Sequence, residues 1–225
     1  MQIKKFIQGK FLKKKLSFTS SALYLCIIIL TAGYFGFIVG TYTGGIQLLY
    51  SSIKIPLLML ITAVITLPFM LVAGLIAQQK VSLAQILHRV LYGLAQTGLL
   101  MAALSPFMWL IVQSGDYRIS ILGLSAIFII SGGYSIYRQN KVIGLNGAGE
   151  IKNRILIMTI AWAIIYTFVA GQVWWLMRPW IGYTYKEKDV PFVRTLDEKE
   201  ITNVYESIEL TGRTWILRQQ QSKEY

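Results

Sequence analysis

The chain has 225 residues, of which 55% are hydrophobic and 14% charged, and its net charge at pH 7 is +12. A water-soluble domain of this size cannot bury so much apolar surface, which excludes an ordinary globular protein. The apolar runs are continuous and do not alternate with polar residues, which excludes a membrane β-barrel. The predicted fold class is therefore an all-α integral membrane protein.

Five apolar runs predict five transmembrane helices. Each run has about 19–25 residues, and about 20 residues of helix cross a hydrocarbon core of about 30 Å. None of the runs has an Asp, Glu, Lys or Arg in its middle. The predicted spans are about 21–41, 55–77, 91–113, 119–137 and 155–177.

The basic residues predict the orientation of the spans. The N-terminal segment and the short connections on the same side contain twelve Lys and Arg, whereas the opposite connections contain only Lys54 and Arg118. The positive-inside rule then places the N-terminus in the cytoplasm and the C-terminal tail on the far side. We expect a multi-pass protein of a bacterial inner membrane. This distribution explains the basic charge, so nucleic acid is not expected as a partner.

Residues 1–20 form a basic segment that precedes the first span. Its apolar residues fall roughly on one helical face, which is typical of an interfacial helix in the cytoplasmic headgroup layer. We expect its lysines to contact anionic lipid headgroups. These are Lys4, Lys5, Lys10, Lys13, Lys14 and Lys15.

The first span contains Gly33, Gly36 and Gly40, and the last two have GxxxG spacing. Small residues let membrane helices approach closely, so these glycines are candidate helix-packing residues. The single cysteine, Cys26, can form neither an internal disulfide nor a metal site. Neither a metal nor a cofactor is expected.

Two connections contain amphipathic or apolar stretches. Residues 46–53 are expected to form a short surface helix on the far side. Residues 81–91 are expected to form a cytoplasmic interfacial helix that continues into the third span. His88, the only histidine, is expected on the polar side of this helix beside Arg89, with neither a catalytic nor a metal-binding role.

Residues 178–225 form a polar tail with equal numbers of basic and acidic residues. Thr195 and Glu198 have capping-box spacing, and apolar residues follow at helical intervals. The pattern predicts a short amphipathic helix at about 196–211. The tail is too short for a core of its own, so we expect it to dock on another surface.

The end of the fifth span carries the densest motif of the chain. Tryptophans there are typical of an interfacial belt, and Arg178 between two of them can make cation–π contacts or bind a phosphate or carboxylate. The motif forms a candidate partner- or lipid-binding site. Its residues are Gln172, Trp175, Arg178, Pro179 and Trp180.

This motif resembles the Gln-x-x-Trp-x-x-Arg-Pro-Phe-Ile-Gly signature of a bacterial family of uncharacterised multi-pass proteins, with Trp180 in place of phenylalanine. The stretches that begin at Gly40, Lys54, Leu67 and Val81 agree with the resemblance, which covers roughly residues 35–210. In outline the family is similar to the five-span proteins that interact with Rab-type GTPases. The resemblance implies a five-span fold with a cytoplasmic N-terminus, and it implies no activity.

Three functions are compatible with these features. The favoured hypothesis is a non-catalytic subunit that scaffolds or anchors a larger membrane protein complex, because the spans lack ionisable groups and the tail needs a partner. The first alternative is a component of a small-solute or lipid transporter or channel. The second is a membrane-embedded lipid-modifying enzyme, for which no catalytic constellation is found in the sequence. Polar candidates for a pore are Thr62, Thr66, Gln96, Thr97 and Gln172.

Overall fold

The computed structural model describes residues 18–76, 83–144, 149–177, 180, 195–196 and 199–200. Five long helices, numbered here in chain order, form an up-and-down bundle. They are α1 (Phe18–Gly40), α2 (Gln47–Ile76), α3 (Leu83–Gln113), α4 (Tyr117–Gly144) and α5 (Gly149–Leu176). Each is long and apolar enough to cross a membrane, so the prediction of five candidate spans is confirmed. The orientation relative to the cytoplasm stays a prediction.

Most helices extend beyond the predicted spans, because apolar composition marks only the lipid-facing part of a continuous helix. The expected surface helix at 46–53 is wrong: α2 begins at Gln47 and runs without interruption through Lys54, Pro56 and Pro68. Lys54, which was assigned to a connection, is a buried residue of α2. The stretch from Leu83 is continuous with the third span, as expected.

The central helix of the bundle is α3. It packs against α1 on one side and α4 on the other, and it also touches α2. Helix α2 in turn packs against α1 and α5, whereas α4 and α5 touch only slightly. The core therefore lies around α1, α2 and α3. Its largest fully buried apolar side chains on these helices are Tyr24, Ile28, Phe35, Ile55, Met59, Ile86, Tyr92, Met101 and Met108.

We name the two ends of the bundle by helix α1. The near end contains the first residues of α1. The far end contains its last residues, together with the turn between α1 and α2 and the turn between α3 and α4. Gly44 and Gly45 have φ values of 74° and 57°, and this left-handed backbone closes the first turn. In the second turn, Asp116 Oδ1 accepts hydrogen bonds from the backbone N–H groups of Arg118 (2.7 Å) and Ile119 (3.2 Å), which caps α4.

The only strands among the described residues are two short ones in the tail. Thr195–Leu196 (β1) and Lys199–Glu200 (β2) pair antiparallel, with Thr195 opposite Glu200. The predicted helix at about 196–211 therefore does not begin at Leu196. A capping-box pattern expresses a local preference, and backbone pairing overrides it here. Residues 201–211 lie outside the described part of the chain.

Candidate functional site

Trp180 turns back into the far end of the bundle and is 1% exposed. Its backbone carbonyl accepts hydrogen bonds from Ser51 Oγ (2.6 Å) and Gln47 Nε2 (3.3 Å) at the start of α2. Its indole Nε1 donates to the Trp174 carbonyl in α5 (2.9 Å). We call Gln47, Ser51, Trp174 and Trp180 the tail anchor. These contacts fix Trp180 to the first turns of α2 and to the last turn of α5.

A series of aromatic contacts continues from the tail anchor across the bundle. The rings of Trp174 and Trp180 stack with centroids 4.4 Å apart. Phe128 of α4 meets Trp174 edge-on at 5.5 Å, and Phe35 of α1 meets Phe128 edge-on at 6.4 Å. Such aromatic pairs stabilise a structure by about 0.5–1.5 kcal/mol each beyond their buried area. The tail anchor is therefore connected by side chains to α1, α2, α4 and α5.

The motif predicted from the sequence is only partly assembled in the described residues. Trp180 is buried, whereas Gln172 and Trp175 are half-buried on α5. Arg178 and Pro179 lie outside the described part of the chain, so the predicted role of the arginine stays a prediction. The structure instead joins Trp180 to residues that sequence reasoning missed. The sequence feature that could have identified these residues is the spacing of Gln47 and Ser51, which are two polar residues one helical turn apart in an apolar helix.

The glycines of α1 lie at its contact with α2. A Cβ atom at Gly40 would come within 2.6 Å of Leu48 Cα, and one at Gly36 would collide with the Ser51 carbonyl. At Gly33 it would meet the Ser52 carbonyl at 3.4 Å. Gly36 and Gly40 therefore allow a backbone approach that any larger residue would prevent. Their partner helix is α2 of the same chain.

At the near end, His88 is buried, and its predicted position on a polar surface is wrong. The side chain is 5% exposed, and its Nε2 is 2.9 Å from the Tyr24 hydroxyl. The two rings stack at 5.5 Å, and Tyr92 meets Tyr24 edge-on. The prediction assumed one buried face on α3. Because α1 and α4 cover α3 from two sides, His88 lies on the second buried face.

Several polar residues of the middle helices bond to their own helix. The hydroxyls of Thr66 and Thr97 donate to the carbonyls of Thr62 (2.8 Å) and Gly93 (3.0 Å). Gln96 Nε2 donates to the Tyr92 hydroxyl at 2.8 Å. Three of the five predicted pore candidates, Thr66, Gln96 and Thr97, therefore use part of their hydrogen-bonding capacity within the bundle. These contacts hold the side chains against their own helices.

A cleft near the end of the bundle that contains the start of α1 lies between α2, α3, α4 and α5, and we call it the near-end cleft. Its volume is about 20 Å³. Arg89 is half-buried there, and the Trp162 indole nitrogen is buried without a hydrogen-bond partner among the described residues. The lining consists of Met70 of α2, Arg89 and Val90 of α3, Ile136 and Gln139 of α4, and Thr159 and Trp162 of α5.

Other predicted contacts fall outside the described residues. All six lysines of the segment 1–20 are among them, so their contact with anionic lipid stays a prediction. In the part of the chain that the structure describes, no three His, Cys, Asp or Glu side chains converge into a potential metal site. Comparison of the chain with protein-family models, curated proteins and solved structures finds no match.

Proposed function

We propose that this protein is a non-catalytic integral membrane subunit that anchors or scaffolds a larger membrane protein complex. Its proposed location is a bacterial inner membrane, with a cytoplasmic N-terminus and the tail on the opposite side. The proposed partners are other membrane protein subunits and, on the cytoplasmic side, anionic lipid headgroups. The observation that carries the proposal is the uneven packing of the five helices.

Helix α5 is the least covered helix of the bundle. Only 11% of its apolar spanning segment is buried inside the chain, compared with 44% for α2. Ile157, Ala161 and Ile164 are exposed on α5, and a Cβ at Gly171 would meet no atom within 4 Å. These four positions are separated by four, three and seven residues, which places them along one helix face. Exposed isoleucines with small residues between them suit close packing against another membrane helix.

The tail anchor supports the same proposal. It holds the chain at Trp180 against the first turns of α2. We expect a partner that packs on α5 within the membrane to contact the polar tail as well. Two linked contact regions bind more tightly than either one alone, because the second contact forms within the same complex.

Site-specific photo-crosslinking in the native membrane tests the proposal. A photoreactive residue at Ile164 on α5 is expected to give discrete protein adducts, whereas one at Ile129 on α4 is expected to react with lipid. Both side chains are strongly exposed, at 65% and 72%, so accessibility does not separate them. Equal, diffuse labelling at the two positions would contradict a partner on α5.

A matched pair of substitutions supplies the second readout. Ile164→Trp is expected to reduce the co-purification of partner subunits by about tenfold, because a bulky ring disrupts a close helix contact. Ile129→Trp places the same ring on α4 and should leave recovery unchanged. Purification of the chain alone, together with solute movement in liposomes, would instead favour the transporter alternative.

A further inference from the structure

The buried imidazole of His88 joins α3 to α1 at the near end of the bundle. Its Nε2 lies 2.9 Å from the hydroxyl of Tyr24, a fully buried residue near the start of α1. The two rings stack with centroids 5.5 Å apart and an interplanar angle of 23°. Tyr92, one turn after His88, meets Tyr24 edge-on at 6.0 Å. The start of α1 is therefore held to α3 by an imidazole between aromatic rings.

No described side chain near His88 supplies a negative charge. Tyr24 is the titratable residue that faces the ring from α1, and α3 itself contributes Arg89 and Tyr92. From α4, Arg138 interacts electrostatically with Tyr92. Helix α2 has no titratable residue after Lys54. The other titratable residues of α4 near this end are exposed, and they are Tyr134, Tyr137 and Lys141.

A positive charge on His88 would therefore be buried among neutral rings and two arginines. The one acidic side chain that the structure describes on the five helices, Asp116, caps α4 at the opposite end. The His88 side chain is only 5% exposed, so water cannot replace the missing counter-charge. Burial of a charge without a partner is costly. The observed packing consequently suits the uncharged ring.

The chain contains a single histidine, which restricts the pH range in which this charge can change. Histidine is the side chain that ordinarily changes its charge between about pH 5 and 8. An exposed imidazole takes up its proton at about pH 6.5. Because the unfolded chain can carry this proton in water, the bundle is expected to lose stability as the pH falls below about 6.5.

We propose that His88 is a pH-sensitive switch whose protonation releases the start of α1 from α3. The uncharged ring has one N–H group and one bare nitrogen, so it can donate to the Tyr24 hydroxyl or accept from it. Uptake of a proton from water gives a cation that moves toward solvent and leaves the stack. The far end of α1 stays in place, because Gly36 and Gly40 hold it against α2.

The single cysteine allows a test on the protein without substitution. Cys26 is exposed on α1, two residues after Tyr24, and can carry a nitroxide spin label. Electron paramagnetic resonance of the full-length protein in detergent is expected to show a more mobile label at about pH 5.5 than at about pH 7.5. The change should reverse when the pH is restored. Identical spectra at the two pH values would overturn the proposal.

A label at the other end of α1 tests whether the change is local. Cys26→Ser combined with Phe37→Cys places the label on another exposed position of the same helix. Its spectrum is expected to stay unchanged between the two pH values, because α1 is packed against α2 there. An equal gain in mobility at residues 26 and 37 would indicate that the whole bundle loosens, and it would overturn the assignment to the near end.

His88→Gln tests whether the histidine is the group that responds. Its amide can still hydrogen-bond to Tyr24 but does not titrate, so label mobility and thermal unfolding should no longer depend on pH. The unsubstituted protein should instead lose about 5 °C in its unfolding midpoint between the two pH values. Tyr24→Phe is the matched control. It should lower the midpoint at both pH values and keep the loss on acidification, because His88 still titrates.

An acid response that persists unchanged in His88→Gln would overturn the proposal. Gel filtration at each pH establishes that the variants are folded, and His88→Asn replaces His88→Gln if the latter does not fold. If neither variant folds, the label on Cys26 decides the question. A reversible change confined to residue 26, with a midpoint between the two pH values, supports the switch because the chain has no second histidine.

Discussion

The two ends of the bundle use their polar groups in different ways. At the far end, Gln47 and Ser51 both donate to the carbonyl of Trp180, a residue of the same chain. At the near end, the Trp162 nitrogen is buried without a partner among the described residues and lines a cleft together with Arg89. The chain itself satisfies the polar groups at the far end, whereas at the near end the described residues leave the Trp162 nitrogen without a hydrogen bond.

This difference predicts how substitutions at the two ends will behave. Changes at the far end should alter the stability of the bundle and the position of the tail, because the interactions there are internal. Changes at the near end should alter the stability less, because fewer hydrogen bonds between distant parts of the chain are lost there. Thermal unfolding of variants at both ends can therefore break or sharpen the comparison.

The largest effect is expected for Trp180→Ala. The substitution removes a fully buried ring and its stack on Trp174, and it should lower the free energy of unfolding by about 3 kcal/mol. Thermal unfolding in detergent measures the loss, and limited proteolysis of the tail measures its release from the bundle. Trp180→Phe keeps a six-membered aromatic ring and loses the smaller ring of the indole together with the hydrogen bond to the Trp174 carbonyl. It should retain most of the stability, and equal losses in the two variants would contradict the role of stacking.

Gly36→Ala is expected to have the next largest effect. The added methyl group would collide with the carbonyl group of Ser51, and rigid backbone cannot move aside as a flexible side chain does. We expect a loss of about 2 kcal/mol together with faster proteolysis of the tail, because Ser51 also holds Trp180. The control is Gly133→Ala on α4, where a Cβ would meet nothing within 4 Å.

The control substitution Gly133→Ala also has an expected effect of its own. Gly133 lies within a helix, where alanine is preferred by about 1 kcal/mol, so Gly133→Ala should be neutral or stabilising. If Gly36→Ala were equally neutral, the close contact between α1 and α2 would not determine the stability of the far end.

Some features of the fold and of the candidate site could be predicted from the sequence because they depend on local composition. Five continuous apolar runs were sufficient to predict five candidate spans, and each lies within one of the observed helices to within a residue. Spacing alone identified Gly36 and Gly40 as small residues on one helix face. It could not identify α2 as their partner, because that depends on which helices meet in three dimensions.

The remaining features arise from contacts between distant parts of the chain. Gln47 and Trp180 are separated by 133 positions, so no local pattern could connect them. His88 was misplaced because the hydrophobic pattern of residues 81–91 defines one apolar face, while the position of α3 between two helices buries another. The near-end cleft needs residues from four helices, and none of its polar members stands out by spacing.

The smallest effect is expected for Tyr24→Phe at the near end, away from the cleft lining. Removal of the hydroxyl leaves the buried His88 Nε2 without this partner, which should lower the free energy of unfolding by about 1 kcal/mol. Tyr34→Phe on the same helix is the control, since that ring is 52% exposed and should tolerate the change. Thermal unfolding of both variants in detergent measures the effect. Equal losses in Tyr24→Phe and Tyr34→Phe would mean that the hydrogen bond between Tyr24 and His88 contributes nothing to stability.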